Sequence, residues 1–547
     1  MRFPLILTSH IISNPGFEIQ SYKSKYMSHR LYILLALLCA TAAVSQAQDY
    51  AKADYRDRQY LGNVTYGSES PVSLRYMPLT DIADIHVGYR HAGGDFHLVD
   101  EPGRLNSWVA SFTGMKRVSK VTFAGGLVYE NSTLRDRCWN NTLFISPNNP
   151  YIIADSLKSK FGNEVFRLDG AAAYALNDRL TLALRAKYDV GSSATQKDPR
   201  PEIKGMRFNL APGVEYRMGR HAVGASANVR WLSEQVSHTV LRTTTKQYVF
   251  LFQGLGVYET KDALGYTRKY NGTRYGVQLQ YSLNNTADAR LSDFLQIEYF
   301  GEHEDAVDGG SSLKYKGGRY RGSGITVTDR LMLRTSGRMI HNFTLHASMV
   351  NTKGRWYTQR SSTDADGNLI YDVINEADHL EGNYMQAGVA YRLDRINASG
   401  LPVFQAEVTA DVDNSETTNK IYAAKESYTN ALVAASVTRR FPIKKGWLAP
   451  RVNVGCRIAL DNKLDISNMP ATYDKVMGLY TSPQFSVLTA DCCQAGAEVT
   501  YAFPLVFMKY RAWLEMSLEG GYVGQIHNSD FGNGNRYYAG ARVGFIF

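Results

Sequence analysis

The fold is decided by residues 166–190, which read FRLDGAAAYALNDRLTLALRAKYDV. From Phe166 to Tyr174, one face collects Phe166, Leu168, Gly170, Ala172 and Tyr174, and the other Arg167, Asp169, Ala171 and Ala173. Successive side chains point to opposite sides only in an extended chain, so this period of two predicts a strand between an apolar and a polar environment. After Asn177-Asp178-Arg179 the pattern resumes, with Leu180, Leu182, Leu184, Ala186, Tyr188 and Val190 opposed to Thr181, Arg185, Lys187 and Asp189. The two runs read as a hairpin with a tight polar turn.

The same grammar continues to the C-terminus. Met206, Phe208, Leu210, Val214 and Tyr216 alternate with Arg207, Asn209, Glu215 and Arg217; Phe404, Ala406, Val408, Ala410 and Val412 alternate with Gln405, Glu407, Thr409, Asp411 and Asp413. Ala512, Leu514, Met516 and Leu518 oppose Arg511, Glu515, Ser517 and Glu519. Short polar turns near Arg117, Asp178, Gly219, Ser336 and Arg395 are interspersed with long polar segments at 131–163, 233–271 and 353–381. Long two-faced strands with that asymmetry predict an all-β protein, a transmembrane antiparallel β-barrel with short periplasmic turns and long extracellular loops. Hairpins counted from Ile82 give about 18 strands, with about 16 or 14 as alternatives. Mean hydropathy is −0.29, and beyond the N-terminal region no apolar stretch reaches the length of a spanning helix, which excludes a helical membrane protein. Tyr at strand ends, such as Tyr174, Tyr216, Tyr281 and Tyr522, suits interfacial aromatic girdles. On this reading Leu182, Leu279, Val408 and Leu514 face lipid, and Arg is expected to be harmful there and mild at Thr181 or Gln278.

The N-terminal region sets the compartment. From Met27 the order is Arg30, an apolar run Leu31 to Val44, then Ser45-Gln46-Ala47, the basic, hydrophobic and small-residue sections of a secretory signal. Residues 1–47 are therefore expected to be an N-terminal extension plus cleaved signal peptide, 48–80 a periplasmic tether or small plug, and 81–547 the barrel. At the other end Tyr537, Ala539, Ala541, Val543, Phe545 and Phe547 occupy alternate positions. Tyr537, Val543, Phe545 and Phe547 resemble the terminal signal that the barrel-assembly machinery of gram-negative bacteria reads, which predicts the outer membrane as location. Its lipid and lipopolysaccharide are then expected partners.

Net charge is +10, but residues 1–47 hold four basic residues against one acid, and the basic residues of the remainder are interspersed with acids. No clustered basic face for nucleic acid is present. The segment Asn148-Asn149-Pro150-Tyr151-Ile152-Ile153-Ala154-Asp155-Ser156, the strand from Val165 and the later Asp198-Pro199-Arg200-Pro201 resemble a family of uncharacterised single-barrel outer-membrane proteins of Bacteroides-type bacteria. That resemblance implies one barrel and lends no catalytic residues. Asn149-Pro150-Tyr151 and the Asp198 to Pro201 motif fall between strands on the long-loop side, where X-Pro pairs stiffen turns. A ligand role at the pore mouth is the alternative.

Cys138, Cys456, Cys492 and Cys493 follow the signal. Cys456 and Cys493 fall on adjacent predicted strands, where packing as small apolar residues is commoner than a bond. No zinc spacing, cofactor motif or nucleophile with a base at recognisable spacing is visible, so neither a cofactor nor an enzyme is expected. Glu302-His303-Glu304-Asp305 reads as a solvated acidic loop rather than a cation site, and Asp366-Gly367 as a hairpin turn rather than a calcium loop.

The polar face carries the functional expectation. Arg167, Arg185, Lys187, Arg207, Arg217 and Arg274 line the earlier strands, and Glu407, Asp411, Glu515 and Glu519 the later ones, with Arg451 and Arg457 interrupting. Opposed walls of this kind suit a passive channel or uptake pore for small polar solutes. The alternative is a surface-binding or structural barrel whose loops 131–163 and 233–271 fill the mouth, with interior charges paired.

Overall fold

The computed structural model describes residues 54–547 apart from 287, 310–313, 337, 368, 445, 508–509 and 527–533; the signal-peptide expectation lies outside them. Alternation becomes one closed antiparallel barrel of 18 strands. The first, Ile82–Gly94, pairs on one side with Arg104–Val118 and on the other with the last, Asn535–Ile546. The short Phe441–Ile443 strand continues Ala424–Arg439 along the same neighbour, Gly446–Asp465.

The barrel is apolar outside and polar inside. Leu182, Leu279, Val408, Val452 and Leu518 are exposed on the outer face, whereas Glu130, Asn163, Ser193, Glu215 and Gln278 are buried inside. A soluble sandwich would bury the first set; here only lipid can cover it. Aromatic pairs such as Tyr89 with Trp108, centroids 4.9 Å apart, and Phe208 stacked on Trp231 stand on that outer face.

Three local expectations change. Residues 353–381 are not a loop: the strands Met339–Thr363 and Leu369–Ile396 continue as a projecting two-stranded ribbon, turning after Thr363. Gly367 stands there at φ +82°, which favours a residue without Cβ. The acidic run 302–305 is not a solvated loop either, but part of the strand Leu291–Asp308, with Glu302 and Glu304 buried inward. Cys456 and Cys493 face each other across adjacent strands and form a disulfide, while Cys138 and Cys492 are free and buried.

Candidate functional site: a lumen closed at both ends

At the long-loop end three connections build a cap. Within 138–158, Ile153–Ala154 pairs with the strand Tyr248–Gly254, which pairs with Val257–Asp262. One face of this small sheet, Ile153, Val249 and Leu251, packs with Tyr151 onto the inner wall at Leu134, Phe161, Ile203 and Tyr270. The other face, Ala154, Phe250 and Phe252, packs on Trp139, Val476 and Tyr480, the last two from the helical stretch inside 466–491. Burial on both faces explains the unbroken run Val249-Phe250-Leu251-Phe252, the signal in a nominally polar loop that would have revealed the cap.

Buried wall carboxylates hold the cap's backbone. Glu234 accepts the N–H groups of Leu143 (2.8 Å) and Phe144 (2.5 Å), and Glu304 those of Ser146 (2.9 Å) and the Asn149 amide (2.8 Å). The Asn149-Pro150-Tyr151 motif is thereby a pin. Tyr151, fully buried, offers its carbonyl to Arg268 (3.2 Å) and the Tyr270 hydroxyl (2.9 Å), and Arg268 is locked bidentately to Asp308 at 2.6 Å. Its ring occupies the place where Gly318, at φ +134°, would carry a Cβ. The second motif is a clasp: Asp198 accepts the backbone N–H groups of Leu241 (3.2 Å) and Arg242 (2.9 Å) and the Nε of Arg200 (2.8 Å). Pro199 offers its carbonyl to Thr239, and Pro201 opens the next strand.

At the short-turn end residues 54–80 cross the lumen. The helix Tyr55–Gly62 and the 3-10 turn Pro71–Tyr76 are tied to strands around the circumference. Arg56 pairs with Asp84 and with Glu515 (3.1 Å); Asp57 with Arg392 (3.3 Å) and Arg440 (3.0 Å). Glu69 meets Arg185 (3.2 Å) and Lys187, Arg75 meets Thr181, and Tyr76 meets Glu215. Arg330 donates to the carbonyls of Tyr60, Asn63, Val64 and Tyr66. Burial alone would raise the Asp57 carboxyl, but the guanidinium groups of Arg440 and Arg392 hold it below its ordinary value. Asp54 pairs with Arg440 (3.0 Å), and burial pushes its carboxyl up to about 6.

Between the closures the wall stays charged and half-buried. Arg167 pairs with Glu130 (3.2 Å), Arg207 with Asp189 (2.8 Å) and Arg274 with Glu298 (3.3 Å), each across neighbouring strands. His346 meets Asp411 at 2.9 Å. The basic half is thus neutralised locally, which weakens the expected field between opposed walls. Arg217 sits at the short-turn rim on the carbonyl of Gly219, Arg457 is buried under the cap on Val487 and Ala490, and Glu515 belongs to the lower closure. Glu407, Arg451 and Glu519 occupy inward positions of their strands, and Arg451 donates to the Ser436 hydroxyl (3.3 Å). Thr181 and Gln278, expected to tolerate Arg, are buried among these partners. Among the described residues no group of His, Cys, Asp and Glu could hold a metal ion.

A closed strand cylinder with an apolar exterior and a charged, capped interior defines a transmembrane β-barrel of the outer-membrane type. More particularly, the chain belongs to the family of unknown function DUF6850, whose model matches residues 71–547. No curated protein matches the sequence. Among solved structures it is similar to the outer membrane transporter YddB from Escherichia coli, with 11% identity, TM-score 0.39 and coverage of 85% of this chain and 81% of that one. It is also similar to BauA, the ferric preacinetobactin receptor from Acinetobacter baumannii, with 8% identity, TM-score 0.37 and coverage of 85% and 80%.

Proposed function

We propose that this protein resides in the outer membrane of a gram-negative bacterium and handles small polar solutes from a closed resting state, opening toward the periplasm when residues 54–80 withdraw. One observation carries this reading: charged side chains stand at inward positions between the two closures, while the segment below adds to its apolar contacts a set of ion pairs and hydrogen bonds that water can replace. A permanently open passive pore fits less well, because both ends are covered. The protein acts as a conduit rather than as an enzyme, with lipid, lipopolysaccharide and the assembly machinery as its standing partners.

The test is access. A single cysteine at Glu407, with Cys138 and Cys492 replaced by Ala, is exposed to a charged thiol reagent from the short-turn side. Slow modification in the parent and at least tenfold faster modification after Arg56→Ala, Asp57→Ala and Arg75→Ala together is expected. Equal, slow rates would remove the gated reading and leave a surface-binding barrel working through its cap, which the packed mouth favours as the second reading.

A further inference from the structure

One sector of the lumen departs from the local pairing seen elsewhere. In a single cross-strand row, Arg451 stands opposite Glu498, Glu498 opposite Glu519, Glu519 opposite Gly540, and Gly540 opposite Arg90. All five positions share the inward parity of their strands, and the four charged ones form no ion pair among the described residues. Two carboxylates directly opposed repel one another. Arg90 has its Nε and one Nη buried without a hydrogen-bond partner, a cost that a bound anion would remove.

The next row supplies a floor. Asn453, Gly496, Gly521 and Tyr538 are register partners. The Tyr538 ring lies 2.5 Å from where a Cβ on Gly521 would stand, and its hydroxyl 2.5 Å from that place on Gly496, so the ring rests flat on a wall that only glycine leaves free. Arg90 stands 5.9 Å from the ring centroid. Glu519 leans over Gly540, 2.7 Å from its Cβ place.

We propose that this sector binds a small zwitterion, a free amino acid or short peptide, with its carboxylate on Arg90, its ammonium between Glu498 and Glu519, and its side chain against Tyr538. Arg90 and Glu519 are two strands apart, about 10 Å between backbones. The two side chains do not reach ion-pair distance of one another, so a ligand carrying both charges a few ångströms apart can bridge them. The ammonium relieves the carboxylate repulsion, the carboxylate satisfies the orphaned guanidinium, and the ring face attracts either a cation or an apolar group. Uncharged sugars would meet the ring but leave both charge problems unsolved.

This assignment rests on the proposed solute-handling role, and its test separates the two. Titration calorimetry of the full chain in detergent, with the loosened variant Arg56→Ala, Asp57→Ala and Arg75→Ala alongside, uses alanylphenylalanine, its N-acetyl C-amide form and maltose. The free dipeptide is expected to bind at least tenfold tighter than the blocked one. Arg90→Gln and Glu519→Gln should each cost tenfold or more; Tyr538→Ala should weaken binding and Tyr538→Phe should not. Heat-modifiable migration checks that each variant folds. Equal affinity for both dipeptides, or binding of maltose alone, overturns the zwitterion site. So does silence in a variant whose chamber the thiol reagent reaches, with the gated reading intact. If the reagent never enters, both fall.

Discussion

Both closures of this barrel bury apolar side chains against the wall, and they differ in how many ion pairs they add to that packing. The cap is an apolar body inside the mouth, with Ile153, Val249, Leu251 and Tyr151 nearly or fully buried and its backbone held by buried Glu234 and Glu304. The lower segment buries Leu61, Val64, Val72, Leu74 and Met77 against the wall and adds wall partners for Arg56, Asp57, Glu69 and Arg75. Apolar burial is lost only by unfolding, whereas ion pairs exchange for water and salt. The difference teaches which end salt and pH can reach: the cap relies on apolar packing and buried carboxylates, while the lower segment adds a ring of partly exposed ion pairs to its apolar contacts.

The largest expected effect tests the cap. Asp308→Ala leaves the Arg268 guanidinium buried and uncompensated, which should cost about 3–5 kcal/mol. Tyr151→Ala should cost a similar ~3–5 kcal/mol through lost packing. Both are read by thermal unfolding in detergent, with protease cleavage inside 138–158 as the local report. Arg56→Ala, by contrast, should lower stability by only ~1 kcal/mol, since Arg56 is partly exposed and the buried Asp84 and Glu515 keep His86 and Arg542 as partners. Similar losses at both ends would erase the distinction.

Salt sharpens the same contrast. Raising ionic strength from physiological to about 1 M shortens the screening length from ~8 to ~3 Å. Cleavage within 54–80 by a protease on the short-turn side should then rise several-fold, while cleavage in 138–158 stays constant. A cap that loosens in parallel would mean that its buried glutamates, rather than its apolar faces, carry it.

The strand grammar was legible because each strand separates two solvents, and Leu182 against Thr181 states that separation in adjacent residues. The interior was less legible. Arg185 and Lys187 can be read as lumen-lining from parity alone, but Glu69 as their partner cannot, because the contact joins residues more than a hundred positions apart. The same limit hid the cap: Asn149-Pro150-Tyr151 stands out as a motif, yet Gly318 and Arg268, which explain it, come from distant strands. The disulfide was missed for a different reason. Register, unlike facing, was not fixed, and only register sets Cys456 opposite Cys493.

Acid should release the lower segment. Asp57 is held below its ordinary value, so its ion pairs with Arg392 and Arg440 stabilise docking fully above the usual carboxylate range near 4. That contribution is lost as pH falls through the depressed value. Cleavage within 54–80 by an acid-active protease should therefore accelerate below pH ~4, and Asp57→Asn should abolish that acceleration by loosening the segment at every pH.

Asp54 should act in the opposite sense, with the smallest effect. It shares Arg440 with Asp57, and burial outweighs Arg440 and the nearby Arg58 and pushes its carboxyl up to about 6. A carboxyl raised on docking favours the protonated form in the docked state. Docking is then tightest below the ordinary value near 4, weakens as pH climbs toward 6, and stays weakened above. Asp54→Asn removes that penalty while Asp57 keeps its pair with Arg440. At pH ~7.5 the variant should be cleaved within 54–80 a few-fold more slowly than the parent, and the difference should shrink as pH approaches ~4. A variant cleaved faster at neutral pH would mean that the Asp54–Arg440 pair is a net anchor despite its burial, and that the lower closure draws its strength from every ion pair it makes.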